Sequence, residues 1–294
     1  MTDLLVKNCL LSKNKNPQDI LINGGVIKDI ASKITADNIP TIDADFHFVT
    51  PPFVDSHFHM DATLSYGLPR VNKSGTLLEG IKLWGELKPN LTADAIKERA
   101  LKFCKWAIAR GTLAIRSHVD VSGQNLVGVE ALLDVRETMK DFIDIQLVAF
   151  PQDGLLRANC LDNLNTALDM GVDVVGGIPH FERTMEEGHE SIRILCEIAE
   201  KRGLLTDLHC DETDDPMSRH VEKLALETTR LGLKGRVAGS HLTSMHSIDN
   251  YYFTKLISLL VEADLNIIAN PLINITIQGR QDNYPKRRGL TRIP

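Results

Sequence analysis

The chain has 294 residues, 43% apolar, 24% charged and 5% aromatic, which is enough to bury a large core and is unlike a disordered or fibrous sequence. Thirty-three Lys and Arg against 39 Asp and Glu give a formal charge of -6, which repels a phosphate backbone, so no nucleic-acid partner is expected. No apolar run approaches the ~18 residues that cross a bilayer, and Met1-Thr2-Asp3 lacks the layout of a signal peptide, so a cytoplasmic protein without membrane association is expected.

In chain order, Asp3 to Lys7, Asp19 to Ile22 and Val26 to Ile30 read as short strands. The last two are joined through Asn23-Gly24-Gly25, a strong hairpin signal. They define a small β unit over residues 1–49. From residue 50 onward, apolar strands alternate with helix-period segments, the signature of βα units around a parallel sheet. The strands are expected at Phe53–Asp55, Leu113–Arg116, Ile143–Phe150, Val172–Gly176, Leu204–Leu208, Arg236–Ala238 and Asn266–Ala269. Helices are expected over Ala93–Ala109 and Glu190–Lys201, the second with Ile192, Leu195, Cys196, Ile198 and Ala199 on one face. Arg110-Gly111 and Arg202-Gly203 supply stop signals. The expected fold over residues 50–294 is therefore an α/β, TIM-type (β/α)8 barrel missing its last strand.

Five cysteines, Cys9, Cys104, Cys160, Cys196 and Cys210, are scattered and form no C-x-x-C pair, so neither a disulfide framework nor a thiolate zinc site is indicated. The densest chemical signal is Pro51-Pro52-Phe53-Val54-Asp55-Ser56-His57-Phe58-His59-Met60-Asp61. Alternate residues of a strand share a face, so His57 and His59 can both aim into the barrel mouth and ligate one metal. Further strands also end in histidine, at His118, His209 and His241. C-terminal strand ends carry function in such barrels, and a shared metal is the economical explanation.

These stretches resemble the bacterial cytosine deaminases of the amidohydrolase superfamily. So do Val148-Ala149-Phe150-Pro151-Gln152-Asp153-Gly154, Asn270-Pro271-Leu272-Ile273-Asn274, and Gln278-Gly279-Arg280 through Tyr284-Pro285-Lys286-Arg287-Arg288-Gly289. The resemblance implies one divalent metal ion, Fe2+ or Zn2+, held by His57, His59 and His209. It makes Glu212 the proton shuttle from the activated water to the ring and the leaving ammonia, and His241 the hydrogen-bond partner of that water and of the tetrahedral intermediate. Gln152 would read the amide edge of a pyrimidine. The implied reaction is hydrolytic deamination of cytosine to uracil and ammonia, a step of pyrimidine salvage on a small nucleobase. Homo-oligomers are common in that family.

Each role has a physical basis. A divalent cation lowers the pKa of bound water to ~7, a carboxylate relay contributes ~10²–10⁴-fold, and a glutamine offers a donor and an acceptor in one plane. Imidazole and carboxylate suit iron, zinc and manganese alike. Plainer readings stand beside these. Glu212 lies in the acidic run Asp211 to Asp215, which without His209 three residues earlier reads as a solvated loop. His118 and Asp120 read as supports for the ligands, His180 as a substrate contact or a loop residue, and His246 and Cys210 as packing or supporting residues. His47, His189 and His220 read as surface residues.

In the resembled family the last metal-contacting residue is an Asp at the end of the eighth strand. The chain ends at Pro294, before any such strand, so it is expected to lack that ligand, to leave two sheet edges unpaired and to show little or no activity as it stands. Two alternatives remain open. One keeps the chemistry on another ring: isoguanine, a pterin, creatinine or an alkylamino-triazine. The other is a truncated, non-catalytic metal-binding barrel.

Overall fold

The computed structural model describes residues 3–283 and 289–292. Tyr284 to Arg288, part of the motif named above, lie outside the described residues, as does Pro294. The chain divides into two compact units, Met1–Phe53 and Val54–Pro294.

In the first unit, Gly24 and Gly25 adopt φ of 59° and 78°, the left-handed conformation that a two-residue hairpin turn demands. They join β2 (Gln18–Asn23) to β3 (Val26–Ala31), with β1 (Leu4–Cys9) antiparallel to β2. A fourth strand, β4 (Thr41–Asp43), pairs in parallel with β1. Sequence patterning misses β4 because all three of its residues are exposed and leave no alternation to read.

The second unit is built on one sheet of seven strands in strict chain order: β5 (Phe53–Phe58), β6 (Thr112–Asp120), β7 (Asp144–Phe150), β8 (Val174–Gly177), β9 (Leu205–Cys210), β10 (Val237–His241) and β11 (Asn266–Ile268). The ladders from β6 to β11 are parallel. A sheet wound in one direction without crossing back is the TIM-type barrel pattern, here nearly closed, with β5 and β11 as its edges. Strands β8 and β10 are buried throughout, as strands covered on both faces must be.

Between the strands lie α1 (Leu77–Leu87), α2 (Ala93–Ile108), α3 (Val127–Met139), α4 (Cys160–Asp169), α5 (Met185–Arg202), α6 (His220–Arg230), α7 (Asn250–Glu262) and α8 (Pro271–Ile277). Local chemistry sets several of their ends. Thr76, Thr92 and Thr184 each accept the amide of the residue three positions on, and Asp249 accepts two first-turn amides. The Thr184 cap starts α5 five residues before the expected Glu190, and α5 stops on left-handed Gly203. No helix among the described residues is long and apolar enough to cross a membrane.

Several strands run further than their apolar stretches suggest. The β6–β7 ladder continues through His118 opposite Val148 to Asp120 opposite Phe150, and β10 pairs with β9 as far as His241 opposite Cys210. Polar residues thus complete the C-terminal ends of the ladders. The histidines sit in or directly after regular strands, where backbone pairing fixes their position.

Candidate active site

Strand geometry brings five imidazoles together. His57 lies in β5 and His59 directly follows its last residue, His118 comes from β6, His209 from β9 and His241 from β10. His59 Nε2 lies 3.0 Å from His209 Nε2, His241 Nε2 lies 3.1 Å from His57 Nε2, and His118 Nε2 lies 3.1 Å from His57 Nδ1. The Phe150 ring stacks on His209 with centroids 4.2 Å apart, which walls one side of the cluster with hydrocarbon.

Burial depresses all five imidazoles, and mutual repulsion adds to it for four. His57, His118 and His209 fall well below the ordinary histidine value, and His59 and His241 fall to about 4. At neutral pH the rings are therefore uncharged, and each neutral ring carries one bare nitrogen. Pairs of Nε2 atoms face each other at hydrogen-bond distance, and the buried Nδ1 atoms of His118 and His209 have no partner among the described residues. Converging neutral imidazoles are the donor set that a borderline divalent cation takes, so these residues fit such an ion. One donor atom each from His57, His209 and His241 lie within 4.8 Å of one another. The atoms of His57, His118 and Asp207 satisfy the same distance, but both Asp207 oxygens are already engaged, one of them by a guanidinium, which opposes a cation there.

Glu212 stands beside this cluster. Its Oε1 lies 3.0 Å from His241 Nδ1 and accepts the Asn274 amide at 2.9 Å. Burial pushes its carboxyl up to about 8, against the lowering effect of Asn274. The acidic run is thus no solvated loop at its start: Asp211 and Glu212 are both buried. Strand β9 runs through Cys210 and Asp211 takes a left-handed φ of 51°, so the chain turns out of the strand between His209 and Glu212. Glu212 also lines a cavity of about 490 Å³, together with His180, Ser218, Asp214 and Gln278. His180 donates Nδ1–H to the His209 carbonyl at 3.1 Å, and its buried Nε2 is unpartnered among the described residues. Gln152 lies two residues past Phe150, half-buried, with its amide N–H bonded to the Phe150 carbonyl. Its side chain forms no hydrogen bond with the histidine cluster among the described residues.

Below the cluster, one layer down the strands, Asp207 is fully buried. It accepts Arg116 Nη1 at 2.9 Å and the Ser240 hydroxyl at 2.7 Å, and Ser240 Oγ lies 3.1 Å from His57 Nδ1. Burial raises the Asp207 carboxyl, opposed by Ser240 and by Arg116. Sequence reading missed Arg116, Asp207, Ser240 and Asn274. Two of them carried a signal: Asp207 and Arg116 stand two residues before His209 and His118, so period-two alternation points all four to the same side.

The remaining histidines differ from expectation in two places. His220 is buried rather than superficial, its Nδ1 bonded to Asp211 at 2.8 Å, because α6 docks its first turn onto that carboxylate. His246 is exposed and makes no packing contribution to the site. His47 is exposed and His189 half-buried. Cys210 is buried, its thiol raised by burial first and by Asp211 second. Asp120 accepts Trp84 Nε1 at 2.7 Å and Lys88 Nζ at 3.0 Å, tying the end of α1 to β6, and its charge opposes the lowering of His59.

Residues 40–294 match the model of the amidohydrolase family. The crystal structure of 5-methylcytosine deaminase from Klebsiella pneumoniae, liganded with 5-fluorocytosine, is 40% identical and superposes with a TM-score of 0.95, covering 98% of this chain and 70% of that one. N-isopropylammelide isopropyl amidohydrolase from Pseudomonas sp. strain ADP is 32% identical, over 90% of this chain and 67% of its own length. A pterin deaminase from Rhizobium rhizogenes is 29% identical, over 93% of this chain and 63% of its own length. This chain thus spans about two thirds of each relative. With strand-end histidines on a barrel of this order and a family match over most of its length, the chain belongs to the amidohydrolase family.

Proposed function

We propose that this chain carries the metal centre and proton-transfer groups of a hydrolytic deaminase that acts on an aminated pyrimidine of the cytosine type. The observation that carries this reading is the meeting of neutral His57, His59, His209 and His241 with buried Glu212, 3.0 Å from His241. His57, His59 and His209 would hold the divalent ion, Fe2+ or Zn2+, with His241 beside them. When bound, such an ion lowers the pKa of water enough to supply hydroxide near neutral pH.

The chain's own residues do the rest. Glu212, raised to about 8, is poised to take up and release a proton around neutrality, and it faces the cavity where a ring would sit. Its Oε1 accepts from Asn274 and faces His241 Nδ1, which leaves Oε2 as the oxygen to carry the proton. His241 presents a neutral ring to the reacting centre and relays its orientation through Nδ1 to Glu212 and Asn274. Phe150 and the buried strand ends exclude water from the cluster side. Gln152, with a donor and an acceptor on one plane, would pair with the N–H/C=O edge of the ring.

The 40% identity to a 5-methylcytosine deaminase supports the pyrimidine. The similarity to a pterin deaminase and to an N-isopropylammelide hydrolase supports a second reading, the same hydrolysis on a larger or alkylated ring. Amine release from cytosine, 5-methylcytosine, pterin and N-isopropylammelide separates them, with the metal-loaded chain assayed beside the longest product of the same reading frame. Ammonia from the pyrimidines, abolished by Glu212→Gln, is the expected result. Turnover of pterin or N-isopropylammelide alone overturns the pyrimidine, and no turnover of any of the four overturns the deaminase.

A further inference from the structure

The hydrogen bonds beneath the histidine cluster constrain where each proton lies. Arg116 has only donors and presents Nη1 to Asp207 Oδ2 at 2.9 Å and Nε to Gln146 Oε1 at 2.7 Å. The guanidinium favours Asp207 as an acceptor-only carboxylate. The Ser240 hydroxyl gives its single proton to Asp207 Oδ1 at 2.7 Å. Its oxygen is then left to accept, and the atom it meets is His57 Nδ1 at 3.1 Å. Asp207 and Ser240 are fully buried, in surroundings of low dielectric that strengthen such bonds and make unpaired groups costly.

We propose that Arg116, Asp207 and Ser240 form a positioning relay that keeps the proton of His57 on Nδ1, leaving Nε2 as a bare donor for the divalent metal. The inference rests on the metal-centre reading above. Nε2 is the His57 atom that faces His241, on the cluster side, while Nδ1 faces down the barrel. The relay also assigns His118: its Nε2, 3.1 Å from the same Nδ1–H, becomes a second acceptor, and its own proton is left on the buried Nδ1, which has no partner among the described residues, a cost set against the bonds gained at His57. His118 then steadies His57 without ligating the metal. Ligand imidazoles commonly lean on a carboxylate directly; here a serine hydroxyl is interposed, with an arginine behind the carboxylate. Arg116, Asp207 and Ser240 are therefore positioning residues that act through His57.

The test is zinc affinity near neutral pH, measured on the metal-stripped chain by competition with a chromophoric chelator, together with the nitrogen-15 spectrum of the His57 ring in the stripped protein. Ser240→Ala should bind zinc roughly 10–100-fold more weakly, and Ser240→Thr, which restores a hydroxyl, should recover most of the loss. His57 in the unaltered protein should show a protonated Nδ1, and in Ser240→Ala, where His118 Nε2 alone remains to accept, that signature should fall to a mixture of the two tautomers. Should Ser240→Ala fail to fold, Asp207→Asn carries the same two expectations. His57→Ala serves as the reference. If it loses zinc while Ser240→Ala binds as the unaltered protein does, the relay is wrong and the metal centre stands. If His57→Ala binds as tightly as the unaltered protein, the metal-centre reading itself fails. A His57 proton found on Nε2 in the unaltered protein also overturns the relay.

Discussion

Asp211 and Glu212 are neighbours in sequence, both buried, yet they sit in opposite environments. Burial alone would raise Asp211, but His220, Ser218 and the Val221 amide all donate to it and hold it below the ordinary carboxylate value. Glu212 has the Asn274 amide as its lowering contact, and burial raises it to about 8. A carboxylate surrounded by donors is committed as an anion and serves the fold. One with few donors, beside an imidazole and a cavity, can exchange a proton within the range where an enzyme works. The contrast separates a region that holds the β9–α6 connection together from a region available for chemistry.

The contrast is most sharply tested at Glu212. Glu212→Gln should lower kcat by about 10²–10⁴-fold, the usual contribution of a general acid or base, while leaving the urea midpoint unchanged. A comparable loss of stability would move Glu212 into the structural class. Asp211→Ala should do the converse and destabilise the chain in urea unfolding, by roughly 1–3 kcal/mol for each buried donor left without its acceptor at His220, Ser218 and Val221.

The two regions should also differ with pH. A carboxyl held below its ordinary value adds stability that is fully present above about pH 4 and is lost as pH falls through the folded-state value. Unfolding followed over acid pH should therefore show a steeper decline for the unaltered chain than for Asp211→Ala; parallel curves would remove Asp211 from the acid-labile set. A smaller effect is expected from Gly188→Ala. A methyl group there would lie 2.3 Å from His220 Nε2 and 2.6 Å from the Pro179 carbonyl. Crowding of the His220 side of the clamp should cost about 1–3 kcal/mol, with metal affinity unchanged. The smallest effect expected is at the thiols. All five cysteines are buried, with burial raising Cys104 and Cys160 to about 11 and Cys196 to about 12. A thiol reagent should modify almost none of them in native protein and all five in denaturant.

The number and order of the strands in the seven-stranded sheet were legible because runs such as Leu147-Val148-Ala149-Phe150 and Val174-Val175 can only be buried in a covered sheet. Where those strands end was less legible. His118, Ser240 and His241 interrupt the apolar run but continue the backbone ladder, which takes no notice of side-chain polarity. The histidine cluster could be read from residue types at strand ends. Asn274 could not, because it reaches Glu212 across a sequence separation of 62 from a short helix with no apolar period to mark it. His220 misled for a related reason: a polar residue at the start of a helix looks solvated until the carboxylate it docks onto, nine residues earlier, is known.

The most direct test of a metal centre at the strand ends is the divalent metal retained by the purified chain after dialysis, compared with His209→Ala prepared in the same way. Retained iron or zinc that disappears in His209→Ala is the expected result. Equal metal in both proteins, or none in either after loading, would contradict it.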